Sequence, residues 1–353
     1  GYATHAITGG GFVMSVFGFR KGFDEYSMNE PDLADPKLAE HGGREAADWI
    51  KQMSDRPFFL FLHTYQVHAP YKSREDLQNL FLGPNPRWRY FDVNRDLGGR
   101  RGLFTPLPPT DRDNVVGLYD AGVRTTDEGL IKPVLEALRS QGLYDRTMII
   151  LTADHGEGFY EHRAWDHTHS VYEELLRVPL IIKMPGGADA GRRLDPVVRL
   201  TDLMPTILDV TGTAYDPAAI DGRSLLPILA GKETADRFVQ AELAENINSV
   251  HIPQRLAIVD GGFKLTLNQA YSEVDFRFFS PPPFVPPPFE LFDLRADPGE
   301  RKNLAGDPAR TALIRGLIRK AEEIAKLIPK PSQSGAAVDP ELDRQLRTLG
   351  YIR

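Results

Sequence analysis

The chain has 353 residues, of which 41% are hydrophobic and 26% charged, values of a globular protein with a large core. Its 42 basic and 49 acidic side chains leave a net charge of -7, so no global positive field draws it to nucleic acid or to an anionic membrane. The absence of cysteine excludes disulfides, cysteine-bound zinc and a cysteine nucleophile within these residues. No apolar run reaches the roughly 18 residues of a membrane span.

Gly1 is followed at once by an apolar run over 4–8, which predicts a strand already inside a fold. Residues 44–53 place Ala46, Ile50 and Met53 on one helix face. Phe58-Phe-Leu-Phe-Leu62 predicts a second buried strand. Residues 115–138 predict one long helix carrying Leu118, Tyr119, Val123, Leu130, Val134 and Leu138, closed by Gly142. Strand-sized apolar runs return at 148–151 and 178–182. Continuous apolar strands separated by helices predict an α/β fold, a three-layer sandwich around a mainly parallel central sheet.

After about residue 240 the pattern changes. Runs at 256–259 and 263–267 flank Asp260-Gly261-Gly262, a hairpin signal, and 290–294 offers a third strand, which together predict a small antiparallel subdomain. The proline-rich stretch 280–288 favours an extended surface loop. An amphipathic helix follows over 311–327, with Leu313, Ile314, Leu317, Ile318 and Ala321 on its apolar stripe. The expected organisation is a catalytic α/β domain over 1–240, a C-terminal antiparallel subdomain with its packing helix over 241–330, and a tail over 331–353 with a short helical pattern from Asp339.

Ligands in an open α/β sheet bind just beyond the carboxyl ends of strands, so polar residues that follow an apolar run are the first candidates for function. Asp154-His155 ends the run at 148–151, and four of the nine histidines (His155, His162, His167, His169) lie between 155 and 169 with Glu157, Glu161 and Asp166. Asp154 alone reads equally as a helix cap or a ligand. The histidines around it favour a metal or an anionic substrate. His63, directly after the second strand, reads as a satisfied core histidine, whereas His68, held by Ala69-Pro70, reads as a fixed site residue. Asp154 and His155 supply too few donors for a hard cation, which takes about six to eight oxygens, so the metal site reads as half present. The arginines between 87 and 101 suit a sulfate, phosphate or uronate group, but Asp92 and Asp96 partly neutralise them and a solvated loop is the simpler reading.

Taken together, these segments resemble the sulfatases of the alkaline phosphatase superfamily. GYATHAITGGGFV with GFRKGFDEYS, FFLFLHTYQVHAPY, TADHGEGFYEH and WDHTHSVYEELLRVPLIIKMPG are similar to its recurring segments, as are TDLMPTILDVTG, DGRSLLPILAGK and ELFDLRADPGERKNLA farther on. The resemblance implies an alkaline-phosphatase-like fold and hydrolysis of a small-molecule or glycan sulfate ester by a formylglycine made from Cys or Ser beside a divalent cation, usually Ca²⁺. It assigns Asp154 and His155 to the metal, and His155 would also admit Mn²⁺ or Zn²⁺. It assigns His68 and His167 to catalysis, with His169 as the neighbouring rival; His162 reads as a surface or supporting residue.

The family's paired acidic ligands, its Cys/Ser-x-Pro-x-Arg motif and the lysine after it have no counterpart in these residues. The expectation is therefore the larger, C-terminal part of a sulfatase, inactive alone and short of one central strand. A phosphodiester or phosphonate ester hydrolase of the same superfamily is the second expectation, and a catalytically inactive fragment that either binds anions or does nothing is the third.

Overall fold

The structure is a computed structural model and describes residues 1–29, 35–53, 56–188, 190–243, 252–271 and 277–325. The tail expected over 331–353 lies outside the described residues. Three parallel strands, β1 (Ala3–Thr8), β2 (Glu25–Met28) and β3 (Phe58–Leu62), form a sheet in the order β2-β1-β3. Strand alternation sends Phe58 and Leu60 to one face, where they pack with Ala3 against Trp49, Ile50, Ala137 and Leu138. On the opposite face Phe59 and Phe61 remain 40% and 39% exposed.

The helices behind this core are α1 (Leu38–Ile50), α2 (Pro109–Thr126) and α3 (Lys132–Ser140). The single helix expected over 115–138 is divided by a π turn, Asp127–Ile131. Pro133 gives the reason: it has no N–H to offer the carbonyl of Gly129 four residues earlier. That carbonyl lies against α1 instead, so close that a Cβ on Gly43 would come within 1.9 Å of it. The same Gly42-Gly43 pair conceals the true start of α1 from a sequence reading, because adjacent glycines signal a break rather than a close helix contact.

The next elements are β4 (Ile149–Thr152), β5 (Gly158–Phe159), β6 (Trp165–Asp166), α4 (Glu173–Leu176) and β7 (Leu180–Lys183). β4 pairs with β7 antiparallel, unlike the parallel pairing expected of these runs, and β5 pairs with β6 in a short hairpin. Ile149 shares the apolar cluster of Phe58 and Leu60, yet among the described residues no backbone ladder joins β3 to β4. Each keeps an unpaired edge.

Farther along, α5 (Leu203–Thr211) follows the fully buried Asp202. The Asp202 carboxylate accepts the N–H groups of Arg199 and Arg223, both at 2.9 Å, and lies 3.0 Å from the buried Arg237 guanidinium. The C-terminal part is an antiparallel sheet of β8 (Val239–Leu243), β9 (Arg255–Asp260), β10 (Phe263–Asn268) and β11 (Phe289–Asp293) in the order β11-β10-β9-β8. Gly261 and Gly262 make its hairpin turn at φ 59° and 83°. β8 escapes the sequence reading because Gln-Ala-Glu-Leu suits a helix equally well. The helix α6 (Thr311–Ala325) lays Ile314, Leu317 and Ala321 on Ile258, Leu265 and Leu291. A further core around Tyr71, Phe91, Leu118 and Trp165 continues into Ala257 and Phe279 of the C-terminal part. No described helix is long and apolar enough to cross a membrane.

Two glycines in helices should respond oppositely to alanine. Gly43→Ala forces a Cβ against the π turn and should cost about 1–3 kcal/mol. Gly316→Ala, with nothing within 4 Å of its added Cβ, should gain roughly 0.4–1 kcal/mol. Urea midpoints of the two variants measure the contrast, and equal shifts would refute the contact.

Candidate active site

The site gathers where β1, β3 and β4 end. Beyond β3, the rings of His63, Tyr65 and His68 follow one another edge to face at 4.8 and 5.2 Å. His68 then meets His167 at 5.1 Å, and His167 stacks on His155 at 4.2 Å. Residues from two segments some ninety positions apart therefore form one arc of rings, and the structure brings together all four residues singled out from the sequence: His68, Asp154, His155 and His167.

His63 departs from its expected role in the core. It is half-buried, its Nδ1 accepts the Gly9 N–H at 3.4 Å, and it feels the charges of Asp154 and His155. Burial lowers its pKa, opposed by Asp154 and assisted by His68 and His155.

Asp154 and His155 stand exposed at the end of β4, with 77% and 40% of their side chains accessible. His155 Nδ1 donates to the Gly156 carbonyl at 2.8 Å, which leaves Nε2 as the unprotonated nitrogen of the neutral ring, 3.8 Å from Asp154 Oδ2. A carboxylate and an oriented imidazole at this spacing fit part of a divalent-metal site. They offer at most two oxygens and one nitrogen, fewer donors than any common ion takes.

His167 sits differently. Its Nδ1 lies 2.7 Å from Asp166 Oδ1 and 3.1 Å from Glu157 Oε1, and the three side chains are 13%, 14% and 6% exposed. The β5–β6 hairpin explains the meeting: Gly158 pairs with Asp166, so Glu157 comes opposite His167. Burial opposes charge on His167, but Asp166 and Glu157 outweigh it and raise the pKa well above 6.5. The Asp166 carboxyl is correspondingly held well below the carboxylate range despite its burial, through His167 and His68. Burial and the charge of His167 push His68 the other way, to the neutral form. Ligand atoms of Glu157, Asp166 and His167 also lie within 4.8 Å of one another, close enough to hold a metal ion. The 2.7 and 3.1 Å separations at Nδ1 are also the lengths of charge-assisted hydrogen bonds.

Sequence reasoning had Glu157 and Asp166 in the cluster without a role, because only the hairpin register places them on one imidazole. The loop around them is strained: Tyr160, Arg163, Asp166 and Thr168 have φ between 63° and 72°, four of the five non-glycine residues with positive φ among those described. It is anchored by Trp165, fully buried, whose indole donates to the Thr105 carbonyl at 2.8 Å.

His169, the sequence rival of His167, is buried and driven neutral with its pKa at about 4, and its carbonyl accepts from Arg255. Its ring packs beside Gly158 of β5, where an added Cβ would come within 3.2 Å of it. The arginines between 87 and 101 are engaged locally: Arg87 with Asp111 and the Trp88 ring, Arg89 with Asn79, and Arg95 with Asp96 and the Tyr90 ring.

His162 supports the site from outside the arc. Its ring stacks on Tyr172 at 3.8 Å, Nδ1 donates to Glu174 Oε1 at 2.8 Å and Nε2 to the Glu300 carbonyl at 3.2 Å. Burial disfavours its charge, but Glu174 and Glu300 raise its pKa above 6.5. A raised histidine contributes stability that is complete below 6.5 and lost as pH rises through the folded value. The lowered carboxyl of Glu174 sets the acid edge, with stability complete above 4.5 and lost below it. The gap in melting temperature between the unsubstituted protein and His162→Gln should thus be widest between these limits and narrow on the alkaline side. A gap that grows between pH 7 and 9 would contradict the pairing.

Known proteins resemble this chain in sequence and in fold. Residues 1–213 match the sulfatase family, and residues 160–327 match the family described as N-sulphoglucosamine sulphohydrolase, C-terminal. The multifunctional alkaline phosphatase superfamily protein PehA of Trinickia caryophylli is 31% identical over 303 residues, 78% of this chain and 57% of that protein. Arylsulfatase K of Xenopus laevis is 32% identical over 291 residues, 74% of this chain and 51% of that protein. The chain thus spans about half the length of these curated relatives. Among solved structures, one bound to its substrate D-glucosamine-2-N,6-O-disulfate superposes with a TM-score of 0.69 at 20% identity, covering 92% of this chain and 80% of that one. The phosphonate monoester hydrolase of Agrobacterium radiobacter gives 0.64 at 18% identity, covering 92% and 78%. The α/β fold with its parallel sheet is alkaline-phosphatase-like, and the chain belongs to the sulfatase family of the alkaline phosphatase superfamily.

Proposed function

We propose that this chain carries the leaving-group side of a metal-dependent sulfuric ester hydrolase. The observation that supports it most is the pair of adjacent histidines in opposite states, His167 charged between two buried carboxylates and His68 neutral beside it. Neighbouring groups driven apart in pKa divide acid and base work between them. His167 would donate the proton that the departing alkoxide needs, and its charge would also hold the sulfuryl oxygens. His68 would accept a hydrogen bond or orient the ester oxygen.

Asp154 and His155 would hold a divalent cation together with further ligands from outside these residues, and the cation would supply Lewis-acid charge stabilisation. Calcium is the proposed ion, with Mn²⁺ or Zn²⁺ admitted by the imidazole. The family's formylglycine would act as nucleophile from the same outside segment. Too few donors at Asp154 and His155, the unpaired edges of β3 and β4, and the uncovered Phe59 and Phe61 all support completion by such a segment. A phosphonate ester hydrolase of the same superfamily is the second reading, favoured by the His155 imidazole.

In the intact protein, His167→Gln should lower kcat on 4-nitrophenyl sulfate about 100- to 10,000-fold. A catalytic proton on His167 is present below its raised pKa, so the rate should fall on the alkaline side as that proton is lost. Chelation should abolish turnover and Ca²⁺ restore it. An unaffected His167→Gln rate would dismiss the assignment, and faster turnover of a phenyl phosphonate ester would favour the second reading.

A further inference from the structure

Charges from three distant stretches meet on β10 at Lys264, which is fully buried. Its ammonium lies 3.0 Å from Glu173 Oε1 and 2.9 Å from Glu300 Oε1. Glu300 also reaches the start of α4, where its Oε2 accepts the Glu173 N–H at 2.6 Å, and it does so from a left-handed backbone at φ 51°. A glutamate held in that conformation needs its surroundings to fix it.

The helix α4 in turn supports the turn after β4. The Gly156 N–H donates to the Leu175 carbonyl at 2.8 Å, and Gly156 backs so closely on the Glu174 carbonyl that a Cβ would lie 2.0 Å from it. Gly156 stands between His155 and Glu157. The contacts therefore run unbroken from the antiparallel sheet through Lys264 and Glu300 to α4, then to Gly156, and so to the residues that flank the ring arc.

We propose that Lys264 and Glu300 are positioning residues: by fixing α4 against the antiparallel sheet, they set the placement of His155 and Glu157, and through Glu157 that of His167. The antiparallel sheet then takes part in the site without contributing a group to it. The kinetic part of this proposal rests on the hydrolase reading above, whereas the placement of the rings does not.

Lys264→Met leaves two carboxylates without their cation and can unfold the protein, so the decisive variant is Lys264→Met/Glu300→Gln, which leaves only the partly exposed Glu173 unpaired by Lys264. Lys264→Arg is the conservative companion. Thermal unfolding first establishes that each variant of the intact protein is folded. Histidine-ring NMR at one pH then reads placement, with His41, paired to Asp35 outside the arc, as the internal reference. In the folded double variant the His155 and His167 ring signals should move while His41 stays. The kcat should fall about 10- to 100-fold with KM little changed, as for supporting residues around a metal site, and Lys264→Arg should recover most of it. A folded double variant with unmoved His155 and His167 signals would overturn the proposal. If the protein hydrolyses neither ester, the ring signals alone still decide it.

Discussion

A buried imidazole carries charge only where nearby carboxylates offset its lost hydration, and those carboxylates are stable in the interior only while it stays charged. Glu157, Asp166 and His167 satisfy this condition mutually. The neighbouring rings adjust to it: burial and the charge of His167 force His68 neutral, and His155 stacks on the His167 ring. The left-handed residues between Tyr160 and Thr168 are the conformational cost of turning the chain tightly enough for Glu157 and His167 to meet. Trp165, buried with its indole satisfied, helps to hold that turn in place.

The antiparallel sheet is bound to the α/β part by two means of different character. The apolar core around Trp165 extends into Ala257 and Phe279 and is indifferent to small displacements of polar groups. The buried charges at Lys264 are directional and tolerate little, so they register α4 against β10. Together they give the turn after β4 a rigid backing, which the exposed Asp154 and His155 side chains themselves lack. Among the described residues β3 and β4 share an apolar cluster without pairing, and Phe59 and Phe61 stay uncovered. The side that supports His167 is well built, whereas Asp154 and His155 stand open.

Several sequence landmarks take on physical meaning at this level. TDLMPTILDVTG and DGRSLLPILAGK meet at Asp202, whose buried carboxylate gathers Arg199, Arg223 and Arg237. YEELLRVPLI and DPGERKNLA meet at Lys264 through Glu173 and Glu300. None of these residues lies in the ring arc. Buried charges such as these must find partners across long stretches of chain.

How much of the protein was legible beforehand depended on the range of the interaction concerned. Local patterns were readable: the apolar runs at β1, β3, β4 and β7, the Asp260-Gly-Gly turn, the stripe of α6, and the polar residues waiting at strand ends. Errors came where a distant contact outweighed local preference, as at Gly43 against the π turn, the antiparallel pairing of β4 with β7, and the ambiguous Gln-Ala-Glu-Leu of β8. The sequence by itself determined the family, the layered α/β architecture and which histidines to suspect, since these follow from composition, periodicity and ordered motifs. Only the tertiary structure decided that His167 is charged, that His68 and His169 are neutral and that Glu157 and Asp166 matter, because a side chain's charge depends on burial and on neighbours that folding alone brings within a few ångströms.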